Sequence, residues 1–486
     1  MNYLLIPLNK RLTYFNNRLT NFDSRLTHPK LALLATLICC SAAVSELAAQ
    51  QSRTSYFMKS ATVRSLQNPA FRPERGYVSI PVLGTVNPSF STNGLTLDQL
   101  VYPKGDETVL FLDSSVDADD FLNGLKTDNR IYTGLATQFL GAGWYSDQGF
   151  WSVDLSLRAN AGLSAPKSLF ELMKRGNGAE GTTYDIRNLK STAESYVEAG
   201  VGYSRPINDK LTVGGKLKLL LGVGSAEAQI DQLHAVMNAG QWNITSQGTL
   251  HASVKGLKTE EKLDKEGRPY ISGFDVDGAG IAGYGAGVDL GASYRLTNKL
   301  TLSAALLDFG FINWGKGVYG VANGNFEFDG FDLAINESAP DQPSLSDQFD
   351  SMIDDLEALT HFREQGQKKR TTRLRSTLNV GGEYELLKDK LTFGLLSSTR
   401  FYQPKAYTEL TLSTSYRPIK WFEAALSYSF IHSQFQTYGL ALNFSPCWIN
   451  FFVGSDYMLT KVSSEFVPVK STAADFYLGI SVPLSH

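Results

Sequence analysis

From residue 288 to 296 the chain alternates with a period of two. Val288, Leu290, Ala292, Tyr294 and Leu296 fall on one side, and Asp289, Gly291, Ser293 and Arg295 on the other. A pleated strand sends successive side chains to opposite faces, so this run reads as a strand with one apolar and one polar face. A tight Leu-Thr-Asn-Lys follows, and an apolar-rich run from Leu300 continues to Trp314, completing a long hairpin. The unit recurs. Residues 201–205 pass through Pro-Ile-Asn-Asp-Lys into Leu211, residues 381–385 through Lys388-Asp-Lys390 into Leu391, and residues 414–417 through Pro-Ile-Lys into Trp421. Proline presets φ, and Asn and Asp bond their own backbone, which accounts for the turn residues. Strands of this length, apolar on one face and charged on the other, suit a barrel standing in lipid with its apolar face outward.

Applied along the chain, the same alternation predicts strands over 77–91, 130–145, 150–163, 192–205, 211–223, 283–296, 300–313, 375–386, 391–401, 407–417, 421–431, 437–444, 449–459 and 473–484. The fold class is therefore all-β: a transmembrane, antiparallel, up-and-down β-barrel of about 14 strands with long extracellular loops, its two ends on the same side because the count is even. Four insertions fall on the opposite side. Residues 92–129 carry an acidic helical patch at 117–122, and 164–191 a short helix opened by Pro166. Residues 224–282 alternate enough over 242–254 to form an extra arm. Residues 314–374 hold the strongest helical period, Leu345, Phe349, Ile353, Leu356 and Leu359, followed by the basic run at 368–373.

The first fifty residues read as a signal peptide with a long n-region: Lys30 closes the basic part, residues 31–44 are apolar, and Leu47-Ala-Ala-Gln50 offers a small-residue cleavage site. This divides the chain into a leader (1–50), an N-terminal lead or plug (51–76) and the barrel (77–486), and it places the protein in the outer membrane of a Gram-negative bacterium. Loss of the leader removes Lys10, Arg11, Arg18, Arg25 and Lys30 with Asp23 and Glu46, leaving 40 basic against 46 acidic residues of the original 45 and 48. That balance offers nothing to nucleic acid. Of three cysteines only Cys447 remains, so no internal disulfide can form. Glycine (43), Tyr (22) and Phe (28) are abundant, as bending barrel strands and interfacial aromatic girdles require.

Asn68-Pro69-Ala70, just ahead of the first strand, resembles the corresponding segment of the long-chain fatty-acid transporters and the related secretion-associated barrels of Bacteroidota. Asp308-Phe-Gly-Phe-Ile-Asn-Trp314 resembles a segment of an uncharacterised branch of those barrels. The resemblance spans roughly 65–484 and implies a barrel of about 14 strands with both termini in the periplasm. It carries no catalytic residue. The last strand, Tyr477-x-Gly-x-x-Val482-x-Leu484, resembles the terminal signal read by barrel-assembly machinery, without the usual terminal aromatic.

Candidate chemistry is confined to the inward face. The histidines beyond the leader (His234, His251, His361, His432, His486) show no metal-ligand spacing, and no nucleophile elbow or phosphate loop is present. Neither a cofactor nor an enzymatic activity is expected; an outer-membrane lipase or protease is the exception that spacing alone does not test. A charge at the bilayer midplane costs about 2–4 kcal/mol on the lipid face, so the polar set of each strand must face the lumen. This assigns Asp154, Arg158, Lys216, Lys218, Asp289, Arg295, Glu383, Glu385, Glu409, Arg417 and Glu423 to the interior. The expected partners are outer-membrane lipid, the assembly machinery during biogenesis, and either a hydrophobic ligand or a secretion-complex protein. The reading taken first is binding or transport of a hydrophobic small molecule; the alternative is a non-transporting barrel that docks partners through its loops. An apolar pocket open through the wall favours the first, and a sealed, ion-paired lumen the second.

Overall fold

The computed structural model describes residues 52–93, 95–104, 107–113, 115–175, 181–238, 241–328, 358–359, 361–402, 405–431, 435–457 and 473–484. The leader at 1–50 and the helical period through Leu345, Phe349, Ile353 and Leu356 lie outside them. The rest is a closed antiparallel barrel of 14 strands. In chain order these are β1 (Tyr77–Ser79 and Thr85–Thr92), β2 (Asp128–Ser146), β3 (Gly149–Pro166), β4 (Thr182–Pro206), β5 (Leu211–Met237), β6 (Gly283–Arg295) and β7 (Leu300–Phe328). They continue with β8 (Arg363–Arg373 and Thr377–Leu387), β9 (Leu391–Tyr402), β10 (Lys405–Ile419), β11 (Phe422–Ile431), β12 (Phe435–Phe444), β13 (Asn450–Ser455) and β14 (Ala473–Asp475 and Tyr477–Pro483). Each strand pairs with its sequence neighbour, and β14 closes the ring on β1 through Tyr77↔Pro483 and Val86↔Leu478. Closure leaves no edge within the ring, as a barrel in hydrocarbon requires.

The alternation that predicts the strands also sets their faces. Leu217 is 71 % exposed, Leu290 52 % and Phe309 60 %, while Lys218, Asp289 and Ile312, one or three positions away, are buried. The exposed set, which also includes Val153, Val201, Val380, Leu395, Leu412 and Leu426, forms an apolar outer belt around the ring. Trp144, Trp151, Tyr203, Tyr294, Tyr384, Tyr416 and Trp421 stand on it towards the short turns. An apolar outside with aromatic edges is the surface of a barrel that faces lipid.

The strands run longer at the long-loop end than the alternation predicts. β4, β5 and β7 have 25, 27 and 29 residues. The arm strand Trp242–Val254 pairs with β5 on one side (Ala228↔Leu250) and β7 on the other (Val321↔Thr249), taking the place that β6 occupies lower down. The basic run at 368–373 is strand, paired with β7 (Trp314↔Arg370), rather than loop. A separate hairpin, Leu257–Leu263 with Pro269–Val276, leans on this wall, Ile271 N–H donating to the carbonyl of Phe362. Over β2 to β4 sits a small cap. Its helix α1 (Ala118–Gly124) is started by Asp117, whose carboxylate accepts from the N–H groups of Asp119 and Asp120. Phe121 of α1 stacks on Phe111 at 4.4 Å and meets Phe170 of α2 (Lys167–Arg175) edge-on. The two helices match the expected patches.

Candidate functional site: the occupied lumen

Residues 52–74 are inside or under the barrel. Two 3-10 turns, Arg53–Ser55 and Thr62–Leu66, fold this segment against the wall of β8 to β13, and Ser52 to Met58 are buried. The fit is electrostatic. The segment carries Arg53, Lys59 and Arg64, and the wall facing it carries acids. Arg53, with no exposed surface, pairs with Glu409 and reaches Asp456, whose carboxylate also accepts the N–H groups of Arg53 and Thr54 at 2.7 and 2.8 Å. Lys59 pairs with Glu385 at 3.1 Å, and Arg64 with Glu383 at 2.7 Å. Glu423 accepts from the backbone and hydroxyl of Ser60 at 2.9 and 2.6 Å. At the short-turn mouth Arg417 pairs with Glu74. Removing one member of a buried pair leaves the other uncompensated, at about 3–5 kcal/mol, so once formed these pairs fix where the segment lies.

Asn68-Pro69-Ala70 turns the segment downward to β1. The Asn68 carboxamide oxygen accepts from the N–H of Ala70 at 2.9 Å, and its Nδ2 donates to the carbonyls of Ala304 and Ala292 at 3.3 and 3.4 Å. Proline bars Asn68 from the helical region, which keeps this turn open. The turn lies flat on two glycines: a Cβ at Gly291 would stand 2.1 Å from Asn68 Oδ1, and one at Gly214 2.2 Å from the carbonyl oxygen of Pro69. Any side chain there would lift the segment off the wall.

On the other side of the lumen a second set of charges is self-contained. Lys218 meets Asp308 at 2.5 Å, Asp289 at 2.8 Å and Glu198 at 3.5 Å. Lys216 meets Asp154 at 2.8 Å and Glu198 at 3.0 Å, and Arg158 lies 3.6 Å from Glu198. The bulge that disturbs the β6–β7 register between Val288 and Leu290 makes this possible. It puts Asp308 at φ 54°, where its N–H donates to Asp289 at 2.7 Å and its carboxylate turns inward to Lys218. Trp314, at the end of the same motif, is buried and donates its indole N–H to Thr372 at 2.8 Å. The motif therefore shapes the wall. Between the two charge sets remains a cavity of about 90 Å³, lined by Gln67, Asn87, Gln138, Asp154, Arg158 and Lys218 among others.

Ten of the eleven residues assigned inward thus fall into two groups. Glu383, Glu385, Glu409, Glu423 and Arg417 meet the N-terminal segment; Asp154, Arg158, Lys216, Lys218 and Asp289 meet one another. Arg295 stands exposed in the last position of β6, away from both. Seven charged participants lie outside that assignment. Glu198 has the right parity within its strand, and Asp308 is a lone charge in an apolar run, so both leave a trace. Asp456 lies within the strand expected over 449–459, whereas Arg53, Lys59, Arg64 and Glu74 lie ahead of the first strand, where no period holds and nothing local marks them. No group of His, Cys, Asp and Glu that could hold a metal occurs among the described residues.

A family model described as "Family of unknown function (DUF5723)" matches residues 69–456. No curated protein matches the sequence. Among solved structures, a Pseudomonas aeruginosa FadL homologue is similar at 11% identity over 88% of this chain and 95% of its own, with a TM-score of 0.39. The Pseudomonas putida toluene transporter TodX is similar at 9% identity over 87% and 92%, TM-score 0.36. The translocator domain of autotransporter NalP from Neisseria meningitidis is similar at 7% over 89% and 100%, TM-score 0.32. The strand count given above stands on the chain's own pairings.

Proposed function

The chain belongs to the DUF5723 family of unknown function, and we propose that it is an outer-membrane barrel whose lumen is kept closed and whose work is done by docking partners at its outer end. The short turns then face the periplasm, together with the start of β1 and the end of β14, and the cap, arm and hairpin face the cell exterior. The apolar belt supports the membrane setting, because such a surface is stable only against lipid.

The occupied lumen carries the docking reading. Sites for drug-sized apolar ligands have about 300–1,000 Å³ lined mainly by apolar groups. The cavity between the two charge sets has about 90 Å³, and its walls include Asp154, Arg158, Lys216, Lys218, Asp289 and Asp308. A hydrophobic compound entering it would strip water from charges without replacing their partners. Meanwhile β5, β7 and the arm strand extend a hydrogen-bonded wall well past the apolar belt, a stiff platform of the kind recognition uses. The second reading, carriage of a hydrophobic compound, draws on the cluster in which Tyr56, Phe57 and Phe71 of the N-terminal segment pack on Leu396 of the wall, an apolar contact that a hydrophobic compound would take over if the segment moved aside.

Two measurements on one preparation separate them. A photo-crosslinking residue at Glu266, in the exposed hairpin turn, should yield a discrete larger product on intact cells, and one at Asn208, in a short turn, should yield a different product or none. Liposomes bearing the protein should take up a fluorescent fatty-acid probe no faster than empty ones. Fast probe uptake with no product at Glu266 would establish carriage instead.

A further inference from the structure

Three cations stand together on the outward face where β7 and β8 leave the apolar belt. The register Phe311↔Arg373 and Trp314↔Arg370 fixes the faces. Arg370 turns inward to Glu227 at 2.5 Å, and Thr372 inward to the Trp314 indole, so Lys369, Thr371 and Arg373 alternate outward, and all three are exposed. Lys316, also exposed, lies in the bulge between Trp314 and Gly317 that faces Lys369. Lys316, Lys369 and Arg373 have no ion pair or side-chain hydrogen bond among the described residues; the neighbouring Thr371 hydroxyl donates to Asn313 at 2.7 Å. The exposed ring of Phe311 lies opposite Arg373 in the register, that of Tyr284 opposite Asn313, and that of Phe309 two residues further down β7. From Leu302 to Phe311 a strand tilted in barrel fashion climbs about 25 Å, the height of the apolar band, so the cations lie at the headgroup level of one leaflet.

Resting on the outer-membrane reading above, we infer that this rim, Lys316, Lys369 and Arg373 over Phe309 and Phe311, binds the phosphorylated headgroup of an outer-leaflet glycolipid. A guanidinium takes a phosphate with two parallel N–H bonds, and ammonium groups add point charges in any orientation. At the edge of hydrocarbon, where screening is weak, clustered cations attract anionic headgroups while the rings beneath receive the acyl chains. Apolar contact beside and below the charges is what selects a lipid over free phosphate.

The test uses the full barrel refolded in bilayers, titrated with diphosphoryl lipid A and with its fully dephosphorylated form, and read by native mass spectrometry of retained lipid. Retention of the diphosphoryl form is expected to exceed that of the dephosphorylated form at least fivefold. The triple variant K316Q/K369Q/R373Q should lose most of this preference, and K299Q/K388Q/K390Q, which removes as many charges at the short-turn end, should keep it. Equal retention of the two lipids by the unaltered protein overturns the inference without need of any variant, and so does displacement of lipid by millimolar inorganic phosphate. Failure to insert into bilayers at all is a different result, and it removes the membrane reading itself.

Discussion

Lys218 is the residue on which one half of the lumen depends. It is buried against Asp289, Asp308 and Glu198, so a neutral side chain there takes the cation from Asp289 and Asp308 and leaves Glu198 to Lys216 and Arg158. Lys218→Met should destabilise the barrel by about 3–5 kcal/mol, the cost of an unpaired buried charge. A lowered temperature for loss of the compact band in heat-modifiability gels measures it; an unshifted transition would mean that the acids are solvated. Gly291 tests the other half by shape. Its missing Cβ leaves room for Asn68, and Gly291→Val should expel the 68–70 turn while the strand still forms, since valine is a good strand residue. Faster protease cleavage within 52–74 in an otherwise folded barrel is the expected readout. Of these two positions, strand parity marks Lys218 as inward, whereas the demand on Gly291 appears only once the segment that covers it is in place.

At the scale of the strand, legibility follows contrast between the faces. β6 and the lower parts of β5 and β7 have lipid on one side and charge on the other, so their alternation shows at once. Above the belt both faces of the wall are polar: Arg363–Arg373 has Lys, Arg, Gln and Thr in succession, and upper β5 mixes Glu, Gln and Asp with Ala. Without a lipid side there is no two-residue apolar period to see, and these stretches read as loops. The contrast itself can be tested. Leu290→Arg, on the lipid face, should cost about 2–4 kcal/mol if it lies near the midplane, while Ser293→Arg, on the opposite parity, should cost less. Folding yield into bilayers compares them, and equal losses would mean that the faces are misassigned or that the lumen beside Ser293 accepts no added volume.

Over the whole molecule, basic groups on the N-terminal segment answer acids on β8, on β10 and just past β13, and on the proposed reading this complementarity closes the lumen. Residues far apart in sequence meet there, Arg53 with Asp456 across 403 positions, so no local pattern announces the pairing. The strand count and the polar inner face can be read along the chain; the partner of each charge cannot. On the proposed reading the segment, and not the wall, keeps the barrel shut. Electrical recording across planar bilayers tests it most directly, comparing the full protein with one lacking residues 52–66. The intact barrel should pass no steady current, and the shortened one should show stable ionic conductance at the same insertion efficiency. Steady current through the intact protein, or silence from the shortened one once its insertion is verified, would contradict the account.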